Sequence, residues 1–131
     1  MFNKAEEVIK EFRGQEHVRG QRDCNLMILK IFDEENYHKM LGTYSTIKGG
    51  VKASLRVYGV RSLREYLEAE GFSLVPQGFE RPLDVVVFKN QHNVYLNLGT
   101  SWFGVTDHEV FGLVSPKNYQ REDYLVFRKG E

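Results

Sequence analysis

The order of elements predicts an α+β fold, with N-terminal helices packed on one face of a four- or five-stranded antiparallel sheet. Three observations carry this expectation. Apolar residues recur at helical spacing up to Gly71. Beyond Gly71 the apolar period shortens to two. The runs that follow are short and separated by turn residues. With 131 residues, no internal repeat and no low-complexity linker, the chain is expected to form one domain over 1–131.

The first segment reads as an amphipathic helix capped by Asn3, with Glu6 three residues on and Val8, Ile9 and Phe12 on one stripe. Gly14 stops it, and a polar loop runs from Gln15 to Asp23. Cys24 to Phe32 is almost continuously apolar, with Lys30 its one charge. A buried strand and a buried helix compete for this run; its leucines and methionine carry no strand bias and favour the helix, with Asp23 as N-cap. Tyr37 to Gly50 looks irregular or partly helical, Gly49-Gly50 acting as a breaker before Val51 to Tyr58. Ser62 and Glu65 form a capping box ahead of Leu63, Tyr66 and Leu67, and Gly71 closes that helix.

The strands follow. Leu83 to Phe88 is apolar and enters after Pro82; Asn90 and Gln91 make a turn. His92, Val94, Leu96 and Leu98 alternate with Asn93, Tyr95 and Asn97, the pattern of a half-buried strand opened by His92. Trp102 to Val105, Val110 to Val114 and Tyr124 to Phe127 supply three more.

Eighteen Lys and Arg balance eighteen Asp and Glu, which argues against a nucleic-acid partner or general attraction to anionic membranes. No apolar run reaches the ~18 residues of a membrane span, and Met1 to Phe12 lacks the apolar centre of a signal peptide. One cysteine excludes an internal disulfide and a four-thiolate zinc site.

That cysteine is the best chemical candidate. At the first turn of a helix, unpaired N–H groups and the helix dipole favour the thiolate, so Cys24 is expected to have a lowered pKa. His92 is the candidate base. The same residues fit a blander reading, a small core cysteine and a hydrogen-bonded sheet histidine. Cys24 and His92 with Asp107 or His108 lack the close spacing of a compact metal motif, so neither metal nor cofactor is expected.

The stretch Val18-Arg19-Gly20-Gln21-Arg22-Asp23-Cys24, the Asp84-Val85-Val86-Val87-Phe88 strand and the run His92-Asn93-Val94-Tyr95-Leu96-Asn97-Leu98-Gly99 occur in that order. Together they resemble the aspartate–cysteine and histidine motifs of NlpC-type cysteine peptidases, in particular a small phage-encoded branch. The resemblance implies a papain-like fold and hydrolysis of amide bonds in bacterial peptidoglycan peptides. It implies Cys24 as nucleophile, its backbone N–H as an oxyanion donor, and His92 as base and then acid. Asp23 would fix the helix start. The chain departs from the pattern in three places. Asn25-Leu26 stands where Ser-Gly is common. His17 stands nearest the family's upstream tyrosine, leaving His17, Gln21 and Arg22 as oxyanion or substrate-binding candidates. Asp107, in imperfect register, is the candidate third catalytic residue. The resemblance implies synthesis in a host cytoplasm and association with a virion. The alternative is a non-catalytic phage protein on the same fold, binding a phage or host protein; Trp102 and Phe103 suit such an interface or, equally, an ordinary core.

Overall fold

The structure, a computed structural model, describes residues 2–130. Five helices come first: α1 (Phe2–Phe12), α2 (Cys24–Phe32), α3 (Glu34–Met40), α4 (Ile47–Tyr58) and α5 (Leu63–Ala69). Six strands follow, β1 (Ser73–Leu74), β2 (Val85–Phe88), β3 (Val94–Asn97), β4 (Trp102–Val105), β5 (Phe111–Val114) and β6 (Tyr124–Arg128), with two short 3₁₀ turns before β6. The fold is α+β, and its sheet is antiparallel throughout in the order β1-β6-β2-β3-β4-β5. Six strands replace the four or five expected because Ser73–Leu74, only two residues long, pairs with the end of β6. Two residues are too few to show an alternating pattern in sequence.

The helical layer rests on α2. Leu26, Met27, Ile28 and Leu29 are fully buried, each contributing about 1.5–3 kcal/mol of apolar burial. They join Val8 and Phe12 of α1, Leu67 of α5 and the sheet residues Val85, Leu96, Phe103, Phe111 and Phe127 in one core. Asp23 caps α2 by accepting from Leu26 N–H, as its position suggests. Asp33 ends α2 and caps α3, and also accepts the Tyr66 hydroxyl, pinning α5 to that junction.

Two local expectations are corrected. Asn3 lies inside α1 and does not cap it. Gly49-Gly50 does not break the chain: α4 runs straight through it from the Thr46 cap. A methyl group on Gly50 would stand 3.4 Å from the Tyr44 ring, and one on Gly49 would stand 3.0 Å from Thr46 Oγ1. Gly49 leaves room for the Thr46 hydroxyl that caps the helix and Gly50 lies at contact range of the Tyr44 ring; tertiary packing overrides low propensity.

β3 is not half-buried, as its alternation suggested: all four of its residues are buried. Val86, Phe88, Tyr95, Trp102, Tyr124 and Val126 form a second core on the other sheet face, so β2 and β3 are covered on both sides. Trp102 and Phe103 point to opposite faces and are 4% and 0% exposed. Both are core residues, which decides between the interface and the core in favour of the core. No helix among the described residues is long and apolar enough to cross a membrane.

Candidate functional site

A cleft of about 290 Å³ opens where the start of α2 meets the ends of β2 and β3, roofed by α4 and the α4–α5 connection. Cys24, the first residue of α2, lies in it with Asp23, His17, Tyr44 and His92. The fold therefore brings His92, 68 residues away from Cys24, into one cavity with His17, Asp23 and Cys24. Gln21, Arg22 and Asp107 do not line it. Gln21 is exposed beside Gly42, and the Arg22 guanidinium donates to the Glu16 carbonyl at 3.2 Å. Asp107 is exposed in the hairpin turn between β4 and β5. That turn reaches the cleft margin through Glu109, whose carboxylate meets His17 Nδ1 at 2.9 Å. The β4–β5 hairpin thus positions His17 and leaves His92 without an orienting partner from this turn.

Asp23 is 5% exposed and fully engaged. Oδ1 accepts from Leu26 N–H at 2.8 Å, while Oδ2 accepts from Gly20 N–H at 2.9 Å and the Tyr44 hydroxyl at 2.6 Å. Three donors hold a buried carboxylate that has no ion-pair partner among the described residues, the arrangement that lets a charged group stay inside. Gly20 is required by geometry. Its φ is +85°, and a Cβ there would fall 1.8 Å from the Tyr44 carbonyl oxygen. The loop before α2 and the loop before α4 are locked face to face by this approach and by Gly42 N–H donating to the Gly20 carbonyl. Burial and the Asp23 charge raise the Tyr44 hydroxyl's pKa, which keeps it a donor.

The thiol of Cys24 is lodged between the first turn of α2 and the chain entering β3. It donates to the His92 carbonyl oxygen at 3.4 Å. The N–H groups of Val94, Cys24 and Asn25 favour the thiolate, but burial and the Asp23 carboxylate outweigh them and push the pKa up to about 12. This corrects the lowered value expected from the helix start. The dipole of a nine-residue helix contributes a few tenths to about 1 kcal/mol at its N-terminus, less than desolvation takes away.

His92 does not open a strand. It sits exposed in the turn between β2 and β3, and β3 starts at Val94. Its main-chain carbonyl accepts from the thiol and the residue lines the cleft, but among the described residues no hydrogen bond joins its ring to the sulfur. Among the described residues no group of three or more His, Cys, Asp or Glu side chains could hold a metal ion.

No protein-family model matches this chain, and no curated protein matches it.

Tyr44 is the cleft residue that sequence reasoning missed. Its neighbours in space, Gly49 and Gly50, carry no specific sign of it in the sequence. Within an irregular stretch that pair read as a turn.

Proposed function

We propose that this protein is a thiol-dependent amidase or peptidase of the NlpC type, acting on amide bonds in peptidoglycan peptides and related to phage-encoded members. The supporting observation is the position of Cys24. It is the first residue of the central helix, set in a cleft of about 290 Å³ that also holds His92. The ordered Asp-Cys and His motifs supply the chemical class.

In this reading the His92 imidazole takes the Cys24 proton, and the sulfur attacks the scissile carbonyl to form a tetrahedral oxyanion. The Cys24 backbone N–H faces that oxygen. His92 then protonates the departing amine as the C–N bond breaks, leaving a thioester. Water, deprotonated by His92, hydrolyses the thioester and restores the thiol. The resting thiol instead donates to a carbonyl. Catalysis therefore requires the turn carrying His92 to bring its ring over the sulfur when substrate displaces that bond.

A second reading is favoured by the state of that thiol. A pKa pushed up to about 12 and a thiol satisfied by a main-chain carbonyl suit a non-catalytic protein of the same architecture, built for phage assembly or host contact.

Digestion of purified peptidoglycan, read by mass spectrometry of released peptides, separates the two. The amidase reading expects new amine and carboxyl ends with the wild-type protein. It expects none with Cys24→Ala and a loss of about 10²-fold or more with His92→Ala. No release by folded wild-type protein, or equal release by Cys24→Ala, supports the assembly reading.

A further inference from the structure

Four of the five helices balance surface charge with ion pairs. Lys4 meets Glu7 in α1, Lys30 of α2 meets Glu11, Lys39 meets Glu35 in α3 and Arg64 meets Glu68 in α5. On α4, Lys48, Lys52 and Arg56 are exposed and have no ion-pair partner among the described residues. The helix sets them in one row, each four residues from the next, where like charges stand side by side and repel. No Asp or Glu lies between Asn36 and Arg64 to relieve them from within that stretch. Ile47, Val51 and Leu55 form a second row at the same spacing beside the first. Ile47 and Leu55 are 43% and 46% exposed, so this flank carries bare aliphatic surface next to unpaired cations. Lys48, Lys52, Leu55 and Arg56 stand outside the cleft.

We infer that this flank of α4 docks the protein on an anionic lipid bilayer, Lys48, Lys52 and Arg56 meeting the headgroups while Leu55 and Ile47 enter the headgroup boundary. The inference does not rest on the amidase reading. The zero net charge does not oppose it, because attraction to a surface depends on the charges that face it within a Debye length. Adjacent rows of cations and aliphatics on one exposed flank are the pattern of a helix lying in the plane of a membrane interface. Anionic headgroups relieve the repulsion within the cation row, and the aliphatic stems of its side chains extend the apolar strip. The apolar row decides between lipid and nucleic acid. A phosphate backbone offers nothing to Ile47 and Leu55, and no aromatic side chain stands in either row to stack on a base. A partner's helix docks in a groove between elements, whereas these rows run along the flank of a single helix.

The test is co-sedimentation of the full-length protein with vesicles of phosphatidylcholine containing about 30% phosphatidylglycerol, compared with vesicles of phosphatidylcholine alone. Binding to the anionic vesicles should be at least about tenfold tighter and should weaken as salt is added. Lys48→Gln combined with Lys52→Gln and Arg56→Gln should lose about tenfold or more. Leu55→Ser, which leaves every charge in place, should lose about threefold or more. Lys10→Gln combined with Arg13→Gln and Lys129→Gln removes the same charge from exposed positions outside α4 and should lose less than about twofold. Melting followed by circular dichroism checks that each variant is folded, and the α4 triple variant should melt no lower than wild type, since it sheds repulsion and breaks no pair. Absence of binding, equal binding to the neutral vesicles, or equal loss in the two triple variants overturns the inference. Binding unchanged by Leu55→Ser overturns it as well, leaving charge alone as the attraction. A DNA duplex retained by the wild type and lost by the α4 triple variant, with no vesicle binding, overturns it in favour of a nucleic-acid contact.

Discussion

The two faces of the sheet solve the same burial problem with different materials. On one face the cover is helical, and a core of aliphatic residues and phenylalanines is continuous from α1 to β5. On the other the cover is loops, and the core is mostly aromatic. Trp102 stacks on Tyr119 at 5.6 Å, and Phe88, Tyr95 and Tyr124 meet them edge-on or tilted. Loops bring few apolar atoms, so large rings close the space and ion pairs fasten the cover. Arg128 holds the 2%-exposed Asp84, and Arg121 holds Glu80. The helical side leaves a cleft where its layer stops at the ends of β2 and β3, and the nucleophile candidate stands there. The candidate chemistry thus lies at the margin of the helical layer, away from the aromatic core.

Substitutions can break this contrast, the largest effect first. Trp102→Ala and Phe103→Ala, adjacent residues on opposite faces, should each destabilise by about 3–5 kcal/mol in denaturant titration. A Trp102→Ala protein with unchanged stability would return that residue to an interface role. Arg128→Gln should cost about 2–4 kcal/mol, because it leaves the buried Asp84 carboxylate without its cation. A change under about 0.5 kcal/mol would show that the loop cover does not depend on this pair. Asp23→Asn should cost about 1–2 kcal/mol, keeping one acceptor for the α2 cap but losing the charge that holds Gly20 and Tyr44. The same change should lower the Cys24 pKa, since the Asp23 charge is one of the two causes that raise it. Lys39→Gln breaks only an exposed pair with Glu35 and should shift stability by less than about 0.5 kcal/mol.

How much of this was legible in sequence follows the range of the interactions. Local signals were read well: α2 begins and ends as its apolar run suggests, and Asp23 and Ser62 cap their helices. Four strands fall within the short apolar runs read for them. Long-range effects were not legible. The alternation in β3 suggested a wet face, but the cover over Tyr95 comes from residues more than twenty positions away, including Tyr119 and Tyr124. Gly49-Gly50 looked like a breaker because its neighbours, the Thr46 cap and Tyr44, come together only when the helix start folds. The thiol's raised pKa likewise depends on burial against β3, which no spacing around Cys24 announces.

The most direct test is the pH profile of Cys24 alkylation by iodoacetamide in the folded protein. The account predicts a rate still rising at pH 10, consistent with a pKa of about 12, and at pH 8.5 about a thousandfold below that of a free cysteine. His92→Ala should leave the profile unchanged, and Asp23→Asn should move it to lower pH. Because the thiol's pKa is raised on folding, the stability it contributes is complete below about pH 8.5. That contribution is lost as pH climbs toward 12, so the wild type should lose stability relative to Cys24→Ala across this window. A plateau reached by pH 9, abolished by His92→Ala, would contradict the account and show a thiolate already paired with the histidine at rest.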